Sequence, residues 1–307
     1  MAVDNRQKKK KQYRSDGTYI GGTQNLSGPG VWVTGLRSKE RQSVAEMYQV
    51  LESLVEELYP GEQEKYRIFR ESFWADEEKA RLAATAAEEG DDFEDELAKE
   101  LAELKLERSS KTKKKASLIV NKHTDIDCIM FFSLHPPIDP LHLVLHYANQ
   151  ILRTGVSQTR TIQRITPVSY SCRAELDEVI KLVKEKVYPG VFETQENLRF
   201  RIDHHSVQNQ TLEKATLLKG MAEAVPADRG HIVDLSENAQ WIVLVRIVRN
   251  TVSIGLIPSA EFIRFKKFNV PSIVAAAGLA KDEAGEGLRS GRVAASSGIK
   301  MVEGENI

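Results

Sequence analysis

The chain has 307 residues, 41% hydrophobic and 28% charged, enough for one large or two modest domains with a buried core. The formal net charge is −1, but residues 76–108 hold thirteen Asp/Glu against five Lys/Arg, so a segment of net −8 masks a remainder of +7. Cys128 and Cys172 are far apart with no CxxC partner, which excludes a disulfide scaffold or paired-cysteine zinc site and points to a reduced, intracellular protein; no apolar run reaches the ~18 residues of a membrane span, and no apolar stretch follows the basic N-terminus as a signal peptide requires.

Residues 1–29 combine Lys8–Lys11 with several glycines and read as a basic disordered tail. The lysine run fits nuclear or nucleolar import, with the cytoplasm as the other expected compartment. Val31–Gly35 predicts a strand. Its glycines precede it, so no phosphate-binding loop is formed. Val44, Met47, Leu51, Leu54, Val55 and Leu58 repeat at helical spacing until Pro60-Gly61. About 62–115 reads as an acidic insertion. Ala116–Asn121 and Cys128–Leu134 predict a hairpin, and Asp139-Pro140 supplies an N-cap and first-turn proline for a helix carrying Leu141, Val144, Leu145, Ala148 and Leu152. The extended stretch Thr159–Cys172 follows, with Pro167 implying an edge, bulge or strand end. Strand, helix, strand, strand, helix, strand from Val31 to Thr166 is the ferredoxin-like order.

A second α/β unit follows. Leu176 to Val187 predicts a helix, and Asn197–Ile202 a strand with Arg199 and Arg201 alternating against apolar residues. Leu212 to Val225 predicts another helix, and His231–Leu235, Trp241–Val248 and Val252–Ile257 predict strands. Trp241–Val248 is nearly all apolar and should be central. Past Pro271 no convincing period is visible, and a mobile end is expected. The expected architecture is α+β: tail 1–29, first domain 30–153 with the insertion, second domain 154–258, and a mostly flexible extension 259–307.

A catalytic constellation is not found: GxxxxGK[ST], GxGxxG after a strand, HExxH and GxSxG are all missing. His142 and His146 share a helical row with Asn149 and Arg153 and read as a polar face rather than a metal pair. Asp125 and Asp127 read as turn residues. The distributed signal is cationic: Arg160, Arg164, Arg173, Arg199, Arg201, Lys214, Lys266 and Lys267, with His204-His205 after the cationic strand. Residues 116–270 nonetheless hold eighteen Lys/Arg against sixteen Asp/Glu, so any nucleic-acid surface must be a patch. No cofactor is expected.

Thr159-Arg160 with Gln163-Arg164-Ile165-Thr166-Pro167, the stretch Phe200–Lys214, Val233–Leu235, Trp241–Val248 and Phe265–Val270 resemble the THUMP-domain tRNA-acetylation adaptor family, and within it the fungal Tan-type proteins. The resemblance spans about 30–270 apart from the acidic insertion. It implies an N-terminal ferredoxin-like domain and a THUMP domain that together bind tRNA, with THUMP domains docking on the acceptor end and its 3′ tail. It further implies a non-catalytic adaptor presenting serine and leucine tRNAs to a separate RNA cytidine acetyltransferase for N4-acetylcytidine formation. Arg160, Arg164 and Pro167 match the family element, and both arginines are assigned to RNA backbone contact. Lys214 falls where relatives carry Arg or Lys, and Lys266 and Lys267 match a basic pair. His204-His205-Ser206 departs from a pattern with arginine and asparagine, so contact there becomes pH-sensitive if a histidine must be charged. The alternative is an RNA-modifying enzyme with an unrecognised site using Asp125, Asp127 or the histidines.

Overall fold

The computed structural model describes residues 26–70 and 117–279. The basic tail up to residue 25, residues 71–116, which include most of the expected acidic insertion, and residues 280–307 lie outside the described residues.

The first unit runs β1 (Gly30–Gly35), α1 (Glu40–Leu58), α2 (residues 62–70), β2 (Ile119–Lys122), β3 (Ile129–Leu134), α3 (Pro140–Thr154) and β4 (Ile162–Val168). Its sheet has the order β2-β3-β1-β4, every neighbouring pair antiparallel. The heptad-like spacing of α1 buries Met47, Val50, Leu51 and Leu54 against Val31, Val33 and Phe132, and α3 adds Leu143, Val144, Tyr147 and Ile151 to the same core. Asp139 caps α3 by accepting from the Leu141 N–H at 3.0 Å, and Gly155 (φ 76°) ends it in the left-handed conformation a glycine adopts without steric cost. Residues 62–70, expected to open the insertion, are helical and tied to the first unit: Gln63 accepts from the Leu118 N–H, and Tyr66 stacks on His135 at 5.2 Å.

The second unit contains β5 (Tyr170–Arg173), α4 (Leu176–Leu182) running into a π-helical turn over Val183–Val187, β6 (Arg199–Val207), α5 (Lys214–Glu223), β7 (Ile232–Val233), β8 (Trp241–Val248) and β9 (Thr251–Pro258). Its sheet has the order β5-β9-β8-β6-β7 and is mixed, with β6 parallel to β7 and β8. β8 is central, as its apolar run predicts, with Ile242 to Val245 inaccessible to solvent. One face takes Val179, Val183, Leu217 and Met221 from α4 and α5. The other sends Ile242, Leu244 and Ile257 into the core of the first unit, so the two units share apolar packing.

Thr159–Cys172 is the ribbon that joins them. β4 is an edge of the first sheet, where Pro167 is tolerated, and the Ser169 N–H already donates to Ile254 O of the second sheet. The change of sheet therefore falls between Val168 and Tyr170, downstream of the expected domain boundary at 153/154. Two other expectations change. His231–Leu235 forms a strand only at Ile232–Val233, because Asp234 turns to accept from Ser236. Beyond α6 (Ser259–Arg264) and a single turn at Lys266–Phe268, residues 270–279 form a helix, α7, where no regular structure was expected. Val270 and Ile273 are buried in the first core and Ala277 is buried on the same stripe, and Asn269 caps the helix by accepting from the Ser272 N–H at 2.9 Å. A stripe of three residues in an Ala/Gly/Ser-rich segment is too short to register as a period without the pocket that receives it.

Candidate nucleic-acid interface

β7 is two residues long and pairs only with Arg199 and Phe200, so from Arg201 onward β6 is an open sheet edge. Alternation along β6 divides its side chains: Phe200 and Ile202 join the core under α4 and α5, with His204 on their side, whereas Arg199, Arg201, Asp203 and His205 line the opposite face. Charged residues on an exposed edge also discourage strand-to-strand aggregation, which is the bland account of this stripe. That account does not explain the cations converging from other elements. Lys214, the first residue of α5, raises the positive potential at His204. Arg246 of β8 and Arg164 of β4 do the same at His205.

Partial burial, followed by these neighbouring cations, lowers the pKa of both histidines, against a smaller opposing effect of Asp203. Asp203 is already engaged: Arg246 donates to its carboxylate at 2.6 Å and to its backbone carbonyl at 2.8 Å. Arg164 carries a buried Nε with no hydrogen-bond partner, and the Nε2 of His204 is in the same condition. A backbone bridge between Arg164 and Asn269 brings the Lys266–Phe268 turn alongside β4. All three residues of that turn have positive φ (51°, 57° and 58°), which buries Phe268 and leaves Lys266 and Lys267 exposed.

The other predicted residues are less uniformly placed. Arg160 is exposed, and the acid beside it, Glu46, does not pair with its guanidinium: Glu46 accepts from the N–H groups of Arg160 and Thr161 and from the Thr161 hydroxyl, at 2.8–3.0 Å. The half-buried side chain of Arg201 makes no hydrogen bond or ion pair among the described residues. Arg199 is held to Asp234 at 3.2 Å. Arg173 ends β5, three strands from β6, or about 14 Å at ordinary strand spacing. The structure thus brings Arg164 near His205 and beside the Lys266–Phe268 turn, groups Lys214 with His204 on the other face of β6, and leaves Arg173 outside this margin.

Three cationic residues escape sequence reasoning. Arg246 is the one charged residue in an apolar strand, and that isolation was its signal. Arg37 and Lys39 are exposed in the β1–α1 loop, which meets the Arg160 segment through the Leu36 N–H to Thr161 O bond at 2.9 Å; their signal was the alternating run Arg37-Ser-Lys-Glu-Arg41. Among the alternative candidates, Asp125, His146 and His142 have local partners. Asp125 (φ 55°) pairs with Arg249 at 3.5 Å and His123 at 3.3 Å, His146 with Glu57 at 3.0 Å, and His142 lies 3.3 Å from the Tyr59 hydroxyl. Among the described residues, no helix is long and apolar enough to cross a membrane.

No family profile matches the chain. The chain combines an α+β fold, a mixed sheet and a cationic margin shared between its units, and comparison with known proteins shows what it is similar to. The chain is 29% identical over 245 residues to an uncharacterized protein of Schizosaccharomyces pombe, covering 80% of this chain and 75% of that one. It is 27% identical over 287 residues to the tRNA acetyltransferase TAN1 of Saccharomyces cerevisiae, covering 88% and 91%. It is 26% identical over 239 residues to THUMP domain-containing protein 1 of Bos taurus, covering 78% of this chain and 61% of the bovine protein. Over most of its length the chain is similar to a Tan-type protein and to THUMP domain-containing proteins.

Proposed function

We propose that the protein acts in tRNA modification as a non-catalytic, tRNA-binding adaptor. It presents tRNA, serine and leucine tRNAs above all, to a separate RNA cytidine acetyltransferase for N4-acetylcytidine formation. In this reading the first unit, with its β2-β3-β1-β4 order and two helices, is a ferredoxin-like domain, and the second is the THUMP domain. The observation that carries the proposal is the open β6 edge with cations converging on it from β4, β8, α5 and the Lys266–Phe268 turn. Guanidinium and ammonium groups on strand edges and a helix start suit phosphates spaced along a folded RNA, which is recognised mainly through backbone and shape. Similarity to a protein named tRNA acetyltransferase TAN1 and to THUMP domain-containing proteins supports tRNA as that RNA.

The yeast relative's name also favours a second reading, in which the chain itself transfers the acetyl group. Purified protein incubated with acetyl-CoA and unmodified tRNA separates the two. The adaptor yields no acetylcytidine until the acetyltransferase is added; acetylcytidine formed by the purified chain alone overturns it. Binding to intact tRNA and to tRNA lacking its 3′ end then tests the ligand, with weaker binding of the truncated form expected.

A further inference from the structure

We infer that Arg164 of the first unit and His205 and Arg246 of the second form a seat for a single phosphate group at the seam between the units, and that the ligand controls the charge of His205. The chemistry of the three groups is complementary. Arg246 is fixed by its bonds to the carboxylate and carbonyl of Asp203 and to Val245 O at 3.1 Å, so it acts as a stationary charge beneath β6. Asp203 cancels one of the two guanidinium charges. One positive charge is left, matching a phosphodiester. A protonated His205 would supply a second, matching a phosphate dianion.

Arg164 reaches the seat from β4, with a buried Nε that no protein acceptor satisfies. A buried charged donor without a partner is costly, and an anion at the seam removes that cost. His205 is the group that can respond. The charges facing it are Arg246 from β8, Arg164 from β4 and Asp203 from its own strand, with His204 and Lys214 behind the sheet. With the seat empty, partial burial and then the two arginines favour neutral imidazole. A phosphate reverses the sign of the nearest field, so the ring takes up a proton as the anion binds and becomes a third donor. The two units supply different parts of the seat. Under the tRNA-binding reading, on which the biological source of the phosphate rests, the seat holds one backbone phosphate and makes tRNA binding tighter as pH falls.

The test uses the full chain and inorganic phosphate as the probe. Histidine ring resonances are followed by NMR from pH 5 to 8 in phosphate and in chloride of equal ionic strength, with His205→Gln assigning the signal. The His205 midpoint is expected to rise by about one pH unit in phosphate, and Arg164→Gln to abolish the rise. An identical midpoint in both salts, or a rise that survives in R164Q, overturns the seat, and the wild-type comparison stands without any variant. tRNA binding is measured on the same sample. If tRNA fails to bind while His205 still responds to phosphate, the seat holds and the adaptor reading falls.

Discussion

Glu46 illustrates how one side chain positions another without touching its charge. Burial alone would raise its pKa, but hydrogen bonds from Thr161 and Arg160 outweigh that and hold the carboxyl below its ordinary range. A group whose folded pKa is depressed contributes stability that is present above the unfolded value and lost as pH falls through the folded one. Glu46→Gln is therefore expected to cost about 1–2 kcal/mol at neutral pH by denaturant unfolding, since bonds to a charged acceptor are replaced by weaker neutral ones, and to cost progressively less as pH falls below the ordinary carboxyl range. The histidines act in the same pH direction for a different reason. His204 and His205 hold protons less well in the folded chain, so below about pH 6.5 the unfolded chain binds more of them and stability falls with pH. The double variant H204Q/H205Q should lose less of its denaturation midpoint between pH 7.5 and 5.5 than the wild type. An equal loss would assign the acid sensitivity elsewhere, His135 being another histidine with a lowered pKa.

At the scale of elements, the turn at Lys266–Phe268 combines strain with exposure. Lys267 holds φ 57° and ψ 33°, a conformation that costs an L-residue about 1–2 kcal/mol and glycine almost nothing. Lys267→Gly should raise thermal stability while weakening tRNA binding, a divergence that a purely structural lysine would not show. The seam has a comparable test at Gly255 of β9, where an added Cβ would stand 2.8 Å from Pro167 O of β4. Gly255→Ala is expected to destabilise by about 1–3 kcal/mol, since backbone on both sides must give way. How far such elements are legible in the sequence follows from where their signal lies. α1, α3 and β8 carry their own periodicity in large apolar residues, and Asp139-Pro140 marks a helix start locally, so they can be read directly. The helix over 270–279 has its stripe in Val270, Ile273 and Ala277 and is recognisable only against the core that receives it. The candidate site divides in the same way. Arg164 and the Lys266-Lys267 pair stand out in a short motif, whereas the meeting of Arg164 with His205 depends on sheet order, and the open edge depends on β7 stopping after two residues. Arg173 and Arg199 have the same composition signal as Arg164, and only topology and the Asp234 contact separate them.

For the whole molecule the proposed interface makes a quantitative claim about salt. Each protein cation neutralising a backbone phosphate releases condensed counterions, so the slope of log binding constant against log salt concentration falls by roughly 0.7–0.9 for every phosphate left without its cation. Arg160, Arg164, Lys266 and Lys267 lie along β4 and the turn bridged to it, so a tRNA backbone following that margin could meet all four. Replacing all four by alanine should lower the magnitude of the slope by about three, against about one for Arg164→Ala alone. Arg173→Ala is the internal control. It removes the same charge from the net total, but from the far edge of the second sheet, and should leave the slope unchanged. Long-range attraction by net charge alone predicts the reverse pattern: every cation removed, Arg173 included, would shift affinity alike. Affinity titrations of intact tRNA between about 50 and 200 mM salt distinguish the two, because a direct phosphate contact changes the slope and a diffuse field does not change it selectively. Equal slopes for R173A and R164A would mean that the β6 margin is not where RNA lies. A slope reduced only in R164A and the quadruple variant would place phosphates along β4 and at the seam where the two sheets meet.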